Sequence, residues 1–302
     1  MPLDPQVQPI VDAVNAASAE APPIWEQTVE QRREAYLALS SLPGPGPDLD
    51  RVEDTTIAGV PVRIYANDGA QGVFMFIHGG GYVIGDLDSH DQPCRQIALE
   101  SGATVVAVHY RLAPEHPFPA GIEDSWAVLQ WLDQNRSQFG GDDTRIVVGG
   151  DSAGGNFSAV MALMARDAGV DLAAQLLVYP AVDQDDRSPS MTENGAGYVL
   201  TAETMDWFGA QYQADPADWR ASPARATSHE GVAPALIITA EFDPLRDQGA
   251  AYARQLEAAG VSVTHTNYEG QVHVFFQLGP IVAAGASAVS QVADFARTAL
   301  QA

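Results

Sequence analysis

The feature that most constrains the fold is the alternation of short apolar segments with segments of helical periodicity along most of the chain. The first and the last of these segments alternate in polarity and the others are largely apolar throughout, so all are predicted strands. They lie at 60–66, 72–80, 103–110, 145–150, 174–180, 234–240 and 261–268. The main predicted helices cover 122–135, 153–168, 247–259 and 281–300. This order predicts an α/β fold: a mostly parallel central sheet with helices on both faces.

Two segments depart from this alternation. Helix-spaced apolar residues followed by "PGPGPD" predict a helical arm over residues 1–45, ahead of one large domain over 46–302. Between Asp183 and His229 the alternation stops, and a stretch rich in aromatic residues replaces it. We interpret about 184–228 as an insertion into the large domain.

Charge excludes several function classes. The chain has 39 acidic and 15 basic residues, a net charge of −24, and every basic residue is arginine. Without lysine there is no Schiff base, no pyridoxal phosphate anchor and no Gly-Lys-Ser/Thr phosphate loop. The negative charge repels nucleic acid and anionic lipid, so we expect no nucleic acid and no membrane as partner.

The sequence shows no pattern typical of a membrane span, a signal peptide, a disulfide or a cysteine metal site. No apolar run approaches the ~18 residues of a membrane span, and the first residues do not resemble a signal peptide, so a cytoplasmic location is expected. Cys94 is the only cysteine, which excludes an internal disulfide and a cysteine metal cage. His90 and Cys94 form only a weak pair, interpreted as a helix-surface histidine and a core thiol.

Residues 147–156 read "VVGGDSAGGN" and place Ser152 between a predicted strand and a predicted helix. A serine there can project from a sharp turn, provided that positions 150 and 154 carry no side chain that would clash with neighbouring elements. The helix behind it points its amides at negative charge that develops on a substrate. An ordinary glycine-rich turn is the alternative, but the strand-turn-helix setting favours a nucleophile.

A nucleophilic serine needs a base and an orienting acid, expected in the order serine, acid, histidine in this kind of sheet. Asp243 follows a predicted strand and precedes proline, although a helix cap would also explain it. Asp247 belongs to the following helix. His273 lies in the predicted loop "EGQVHVFF", whereas His265 lies inside a predicted strand. We therefore predict Asp243 as the acid and His273 as the base.

The segment "FIHGGGYVIGD" (76–86) ends a strand with three glycines whose amides, with that of Ala153, are suited to bind an oxyanion. A dinucleotide-binding loop would need glycine at position 84, where the chain has Ile84. This chemistry requires neither a metal nor an organic cofactor, and we expect none.

Five motifs in order resemble the hormone-sensitive lipase-like carboxylesterases, the bacterial family IV esterases with the α/β-hydrolase fold. The motifs are "HGGG" at 78–81, "YRLAPEHPFPAGIEDS" at 110–125, "GDSAGGN" at 150–156, "DPLRD" at 243–247, and His273. The resemblance implies ester hydrolysis through Ser152, Asp243 and His273, and an oxyanion hole formed by the amides of Gly80, Gly81 and Ala153. It also implies a helical cap built from the arm and the insertion.

The chain departs from this family at one position, because Val274 stands where glycine often follows the histidine. We expect Val274 to alter the pocket wall rather than the chemistry. The predicted function is a serine carboxylesterase that hydrolyses small short- to medium-chain esters through an acyl-serine. A hydrolase of amides, carbamates or lactones, or a non-catalytic ligand-binding protein on this fold, are the alternatives, and a homodimer stays open.

Overall fold

The computed structural model describes residues 2–141 and 143–302. Its strands join in one sheet, and in chain order they are β1 Arg51–Ile57, β2 Val60–Ala66, β3 Val73–Ile77, β4 Thr104–Val108, β5 Ile146–Asp151, β6 Ala174–Val178, β7 Ala235–Phe242 and β8 Val263–Val272. Across the sheet the order is β1-β2-β4-β3-β5-β6-β7-β8. The pairs β1/β2 and β2/β4 are antiparallel and all other pairs are parallel. The predicted mostly parallel sheet is confirmed.

Helices cover both faces of the sheet. In chain order they are α1 Gln8–Glu20, α2 Val29–Ser40, α3 Asp91–Ser101, α4 Ala120–Gln134, α5 Ala153–Ala168, α6 Pro189–Glu193, α7 Ala202–Tyr212, α8 Arg246–Ala258 and α9 Ala283–Gln301. One apolar cluster joins α3 and α9 to the sheet, and another joins α4 and α5 to its opposite face. In the described residues, none of the helices combines the length and apolarity needed to cross a membrane.

The burial of the strands explains their sequence patterns. Every residue of β3, β4 and β6 is buried, as expected for parallel strands covered on both faces. By contrast, β1 is mostly exposed at the edge of the sheet, and its polar sequence "RVEDTTI" did not predict a strand. Its pairing with β2, rather than an apolar pattern of its own, determines its conformation.

The end of β8 also differs from the prediction. The strand continues to Val272, past the predicted end at 268, because Val272 pairs with Phe242 of β7 beyond an irregularity in the register. His273 therefore follows the strand directly and does not lie in a separate loop. The parallel pairing of β7 and β8 brings the residues that follow the two strands close together.

The arm and the insertion touch each other and the large domain. The side-chain Nδ2 of Asn15 donates a hydrogen bond to the backbone carbonyl of Gly197 (2.9 Å). Ile24 belongs to the same apolar cluster as Trp207 and Phe208 of α7. The ring of Tyr212, at the end of α7, stacks on that of Tyr82, with centroids 3.9 Å apart. These contacts bring the arm and α7 next to the segment that follows β3.

Candidate active site

Ser152 occupies the turn between β5 and α5. Its backbone has φ 55° and ψ −118°, a conformation that non-glycine residues seldom adopt. The Ser152 amide donates to the Val178 carbonyl (2.8 Å) of the neighbouring strand, and the Ser152 carbonyl accepts from the Asn156 amide (3.0 Å). The turn is thus held from the sheet on one side and the helix on the other. Such strained serines occur where function requires an exposed hydroxyl.

The glycines around Ser152 are required by the closeness of β3. A Cβ atom at Gly150 would overlap the Ile77 carbonyl oxygen and the backbone of Gly154, and a Cβ atom at Gly154 would overlap the same oxygen. Neither glycine has a positive φ, so space rather than conformation demands them. The prediction that a side chain at position 150 or 154 would clash with neighbouring elements is confirmed.

The substitution Gly154→Ala is therefore expected to destabilise the protein by roughly 1–3 kcal/mol or more, because the obstructing atoms are backbone and cannot turn aside. Gly209→Ala is the matched control, since Gly209 lies in the exposed middle of α7 with open space around its Cα. That control should instead stabilise by about 0.5–1 kcal/mol. Denaturant unfolding measures both, and equal effects would contradict the close approach of β3.

The structure brings Ser152, His273 and Asp243 into one chain of hydrogen bonds. The Ser152 Oγ lies 2.9 Å from His273 Nε2, and His273 Nδ1 lies 2.7 Å from Asp243 Oδ2. If Nδ1 carries the imidazole proton and donates it to the carboxylate, Nε2 is free to accept the serine proton. Asp243 and His273 are buried, whereas Ser152 is partly accessible. Each of the three residues directly follows the C-terminal end of a strand: Ser152 follows β5, Asp243 follows β7 and His273 follows β8.

Asp243 makes a second contact that fixes its orientation. Its Oδ1 accepts from the Leu245 amide at 2.8 Å, at the start of α8, while Oδ2 faces His273. The two interpretations of Asp243 from sequence, helix cap and acid partner, are thus compatible. Asp247 lies within α8 and accepts instead from the Ser190 amide (2.9 Å). His265 lies in β8, as predicted, beside Thr239.

The segment after β3 presents backbone amides near Ser152. Within the described part of the chain, the amides of Gly80, Gly81 and Ala153 donate to no other backbone group. Phe208 of α7 packs directly over Gly81, where a Cβ atom would overlap its ring. The three amides therefore have no backbone acceptor that would compete with a ligand, and an aromatic side chain lies against Gly81.

A buried polar cluster behind Ser152 was not found by sequence reasoning. Asp151 Oδ1 accepts from the Gly79 amide (2.9 Å) and lies 3.1 Å from His90 Nε2. Asp151 Oδ2 accepts from Gln277 Nε2 (3.2 Å). The prediction that His90 lies on a helix surface was wrong, because its side chain is buried, whereas Cys94 is a core thiol as expected. The only sequence signal was the position of Asp151 directly before the serine.

Electrostatics favour an ionised Asp151. Burial opposes the charge, but the neighbouring His90 and the Gly79 amide outweigh it and hold the pKa of Asp151 below its usual value. Burial, and after it the neighbouring His90, lowers the pKa of His78 to about 3, so the His78 imidazole is neutral at pH 7. The His78 Nδ1 lies 2.8 Å from the Gly79 carbonyl, which places it to donate there.

Val274 follows the histidine with φ 70°, a conformation in which a β-branched residue is strained. This positive φ explains why glycine suits the position. In residues 2–141 and 143–302, no three histidine, cysteine, aspartate or glutamate side chains are grouped to hold a metal ion.

A family model described as "alpha/beta hydrolase fold" matches residues 74–277, which span the motifs from the glycine segment to Gln277. The chain belongs to this α/β-hydrolase family. The match confirms the fold and the resemblance predicted from the motifs.

Individual relatives of this α/β hydrolase cover almost its whole length. A carboxylesterase named NlhH from Mycobacterium tuberculosis is 41% identical, over 96% of this chain and 93% of the relative. An ethyl acetate hydrolase from Pseudomonas putida is 38% identical, over 90% of this chain and 91% of the relative. The structure of a hyperthermophilic esterase from the archaeon Pyrobaculum calidifontis superimposes with a TM-score of 0.92, at 40% identity and 99% coverage of both chains.

Proposed function

We propose that the protein is a serine carboxylesterase in which Ser152 is the nucleophile, His273 the general base and Asp243 the orienting acid. The observation that carries the proposal is the continuous hydrogen-bonded chain from Ser152 Oγ through both nitrogens of His273 to Asp243. Ester hydrolysis is supported by the relatives, which are named as carboxylesterase, ethyl acetate hydrolase and esterase. A binding protein on the same fold would not need this arrangement.

The reaction proceeds in two halves. His273 Nε2 takes the proton as Ser152 Oγ bonds to the ester carbonyl carbon, and the carbonyl oxygen becomes an oxyanion. His273 then gives that proton to the leaving oxygen, the carbon–oxygen bond breaks, and the alcohol departs. In the second half water loses a proton to His273 and attacks the acyl-serine, and the returned proton frees Ser152 and a carboxylic acid. Asp243 stabilises the imidazolium formed in both halves.

The oxyanion is held by the amides of Gly80, Gly81 and Ala153. Amides fixed before the reaction stabilise the transition state without reorganisation, and each such donor contributes on the order of a hundred-fold or more in rate. Supporting this assignment, all three amides lack a backbone acceptor in the described residues. Ala153 also begins α5, whose helix dipole favours negative charge at that end.

A panel of p-nitrophenyl esters, anilides, carbamates and lactones tests the reaction class directly. We expect the esters to be hydrolysed fastest and a fluorophosphonate to label Ser152, as identified by peptide mass spectrometry. Faster turnover of the anilides or lactones than of matched esters would replace ester hydrolysis with the corresponding class. Absence of both turnover and labelling would favour a binding protein.

Acyl chains of roughly two to eight carbons should be preferred, because the cap formed by the arm and about 184–228 limits the pocket. Each buried methylene contributes about 0.8 kcal/mol, so kcat/KM should rise over the first few carbons and fall once the chain outgrows the space. Rates on aryl esters of rising chain length measure this. An optimum at long chains, or a jump in rate at an oil–water interface, would indicate a true lipase.

Phe208 offers a structural test of the same expectation, since its ring packs against Gly81 of the glycine segment. Phe208→Ala should move the optimum to longer acyl chains. Leu99→Ala is the control, because Leu99 is 46% exposed on α3, outside both the arm and the insertion. An unchanged optimum in Phe208→Ala would remove this ring from the limit on chain length.

A further inference from the structure

Asp151 contacts the segments that carry each part of the proposed active site, although it does not face the substrate side. It immediately precedes Ser152, and its side chain is 1% exposed. Its Oδ1 accepts from the Gly79 amide at 2.9 Å, one residue before the amides proposed to bind the oxyanion. A carboxylate joined to a backbone amide of this loop restricts where the following amides can lie.

The opposite oxygen of Asp151 reaches the segment that carries the base. Asp151 Oδ2 accepts from Gln277 Nε2 (3.2 Å), four residues after His273, and lies 3.5 Å from the Tyr179 hydroxyl. The Tyr179 ring packs against the His273 imidazole, with centroids 4.4 Å apart. One buried side chain is thus connected to the nucleophile turn, the glycine segment and the surroundings of the histidine.

His90 completes the site of Asp151. Its Nε2 lies 3.1 Å from Asp151 Oδ1, to which it donates when that nitrogen carries a proton, and its Nδ1 lies 3.0 Å from the Ser89 hydroxyl. The His90 side chain is buried. A buried carboxylate with such a partner is strongly destabilised when the partner alone is removed. The contact with His90, which directly precedes α3, therefore helps to fix the position of the Asp151 carboxylate.

We propose that Asp151 is a positioning residue for the hydrolytic reaction: its carboxylate holds the glycine segment 79–81 against the serine turn, and His90 holds the carboxylate. This inference rests on the proposed serine esterase function. Asp151 touches neither the substrate nor the reacting atoms. It acts by fixing the amides of Gly80 and Gly81 at the distance that a developing oxyanion requires, because such amides act only when they are placed before the reaction.

The substitution Asp151→Asn isolates this role with little change of shape. If the oxygen of the introduced asparagine accepts from the Gly79 backbone amide, its NH2 group faces the NH2 group of Gln277, and two donors meet there. If the side chain turns the other way, two donors meet at Gly79. We expect kcat to fall by roughly ten- to hundred-fold, less than for loss of an oxyanion donor, with KM changed by less than about three-fold. The affinity for an alkylboronic acid, which forms an anionic tetrahedral adduct with a nucleophilic serine, should fall in parallel with kcat/KM.

Asp124→Asn is the matched control. Asp124 is also a buried carboxylate, 9% exposed; it accepts from the Arg111 amide (2.9 Å) and pairs with the Arg111 guanidinium (2.8 Å), and neither group contacts Asp151. We expect its kcat and boronic acid affinity to stay within about two-fold of wild type. A folded Asp151→Asn variant that matches Asp124→Asn in both measurements overturns the proposal.

The double variant His90→Phe/Asp151→Asn covers the case in which Asp151→Asn alone does not fold, and it completes a double-mutant cycle where both single variants fold. His90→Phe keeps a ring but leaves the carboxylate without its partner, and adding Asp151→Asn removes that unpaired charge. If the two residues act as a unit, the double variant should lose no more of kcat than the worse single variant. A folded double variant with wild-type kcat overturns the proposal, as does a multiplicative loss. Fluorophosphonate labelling of wild-type Ser152 separates the two inferences, since failure there would refute the proposed function itself.

Discussion

Ser152→Ala is expected to reduce ester hydrolysis by about a thousand-fold or more, because the three residues of the triad act as a unit and only the oxyanion site and binding remain. The fold should be retained, since the backbone bonds of Ser152 to Val178 and Asn156 do not involve its side chain. Initial rates on p-nitrophenyl butyrate, with circular dichroism to verify folding, measure the effect.

Ser158→Ala is the control for loss of a buried hydroxyl near the same turn. Ser158 lies in α5 and donates to the Gly154 carbonyl (2.8 Å), a local bond worth about 0.5–1.5 kcal/mol of stability. Its activity should stay near that of wild type. If Ser152→Ala retained most of its activity, and wild type resisted serine-directed inhibitors, the nucleophile would have to be sought elsewhere.

Asp243→Asn should lower kcat by about a thousand- to ten-thousand-fold with little change in fold. The oxygen of the introduced asparagine can still accept from the Leu245 amide, which leaves the new amide nitrogen facing His273 Nδ1. His273 Nδ1 would then accept rather than donate, and Nε2 would carry the proton and be unable to take one from Ser152. Steady-state kinetics at several pH values measure the loss.

Asp247→Asn is the control for this substitution, because Asp247 is the other aspartate of "DPLRD" and lies within α8, bonded to Ser190 and Arg246. We expect at most a small change in its kcat. A similar loss in both variants would indicate that the segment needs its charges for structure, and a normal rate in Asp243→Asn would remove Asp243 from the triad.

Much of the fold could be predicted because parallel strands that are buried on both faces consist of nearly continuous runs of apolar residues. The strands from β2 to β7 lie close to the predicted segments for this reason. By contrast, the polar sequence of β1 did not predict a strand, and β8 was predicted only to residue 268 because its last four residues, "EGQV", do not continue the strand pattern. An edge strand is determined by the neighbour it pairs with, which a local pattern does not reveal.

The proposed site divides in the same way. The glycines around Ser152, the acid before Pro244 and the histidine after the last strand are each explained by local chemistry and by chain order, so the sequence alone pointed to them. The family and the carboxylic ester hydrolase function predicted from the motifs are confirmed by the relatives. The roles of Ser152, Asp243 and His273 stay predictions to be tested by the variants above.

By itself, then, the sequence determined the α/β architecture, the serine turn and the order of its partners, because each depends on neighbouring residues or on strand ends that meet at one edge. Only the tertiary structure decided what surrounds Asp151. Its contact with Gln277 spans 126 positions, and neither residue carries a local signal of the other. The positive φ of Val274 could not be predicted from the sequence either, because valine favours extended backbone with a negative φ. Long-range packing imposed both, and packing partners are not encoded in any short stretch of the chain.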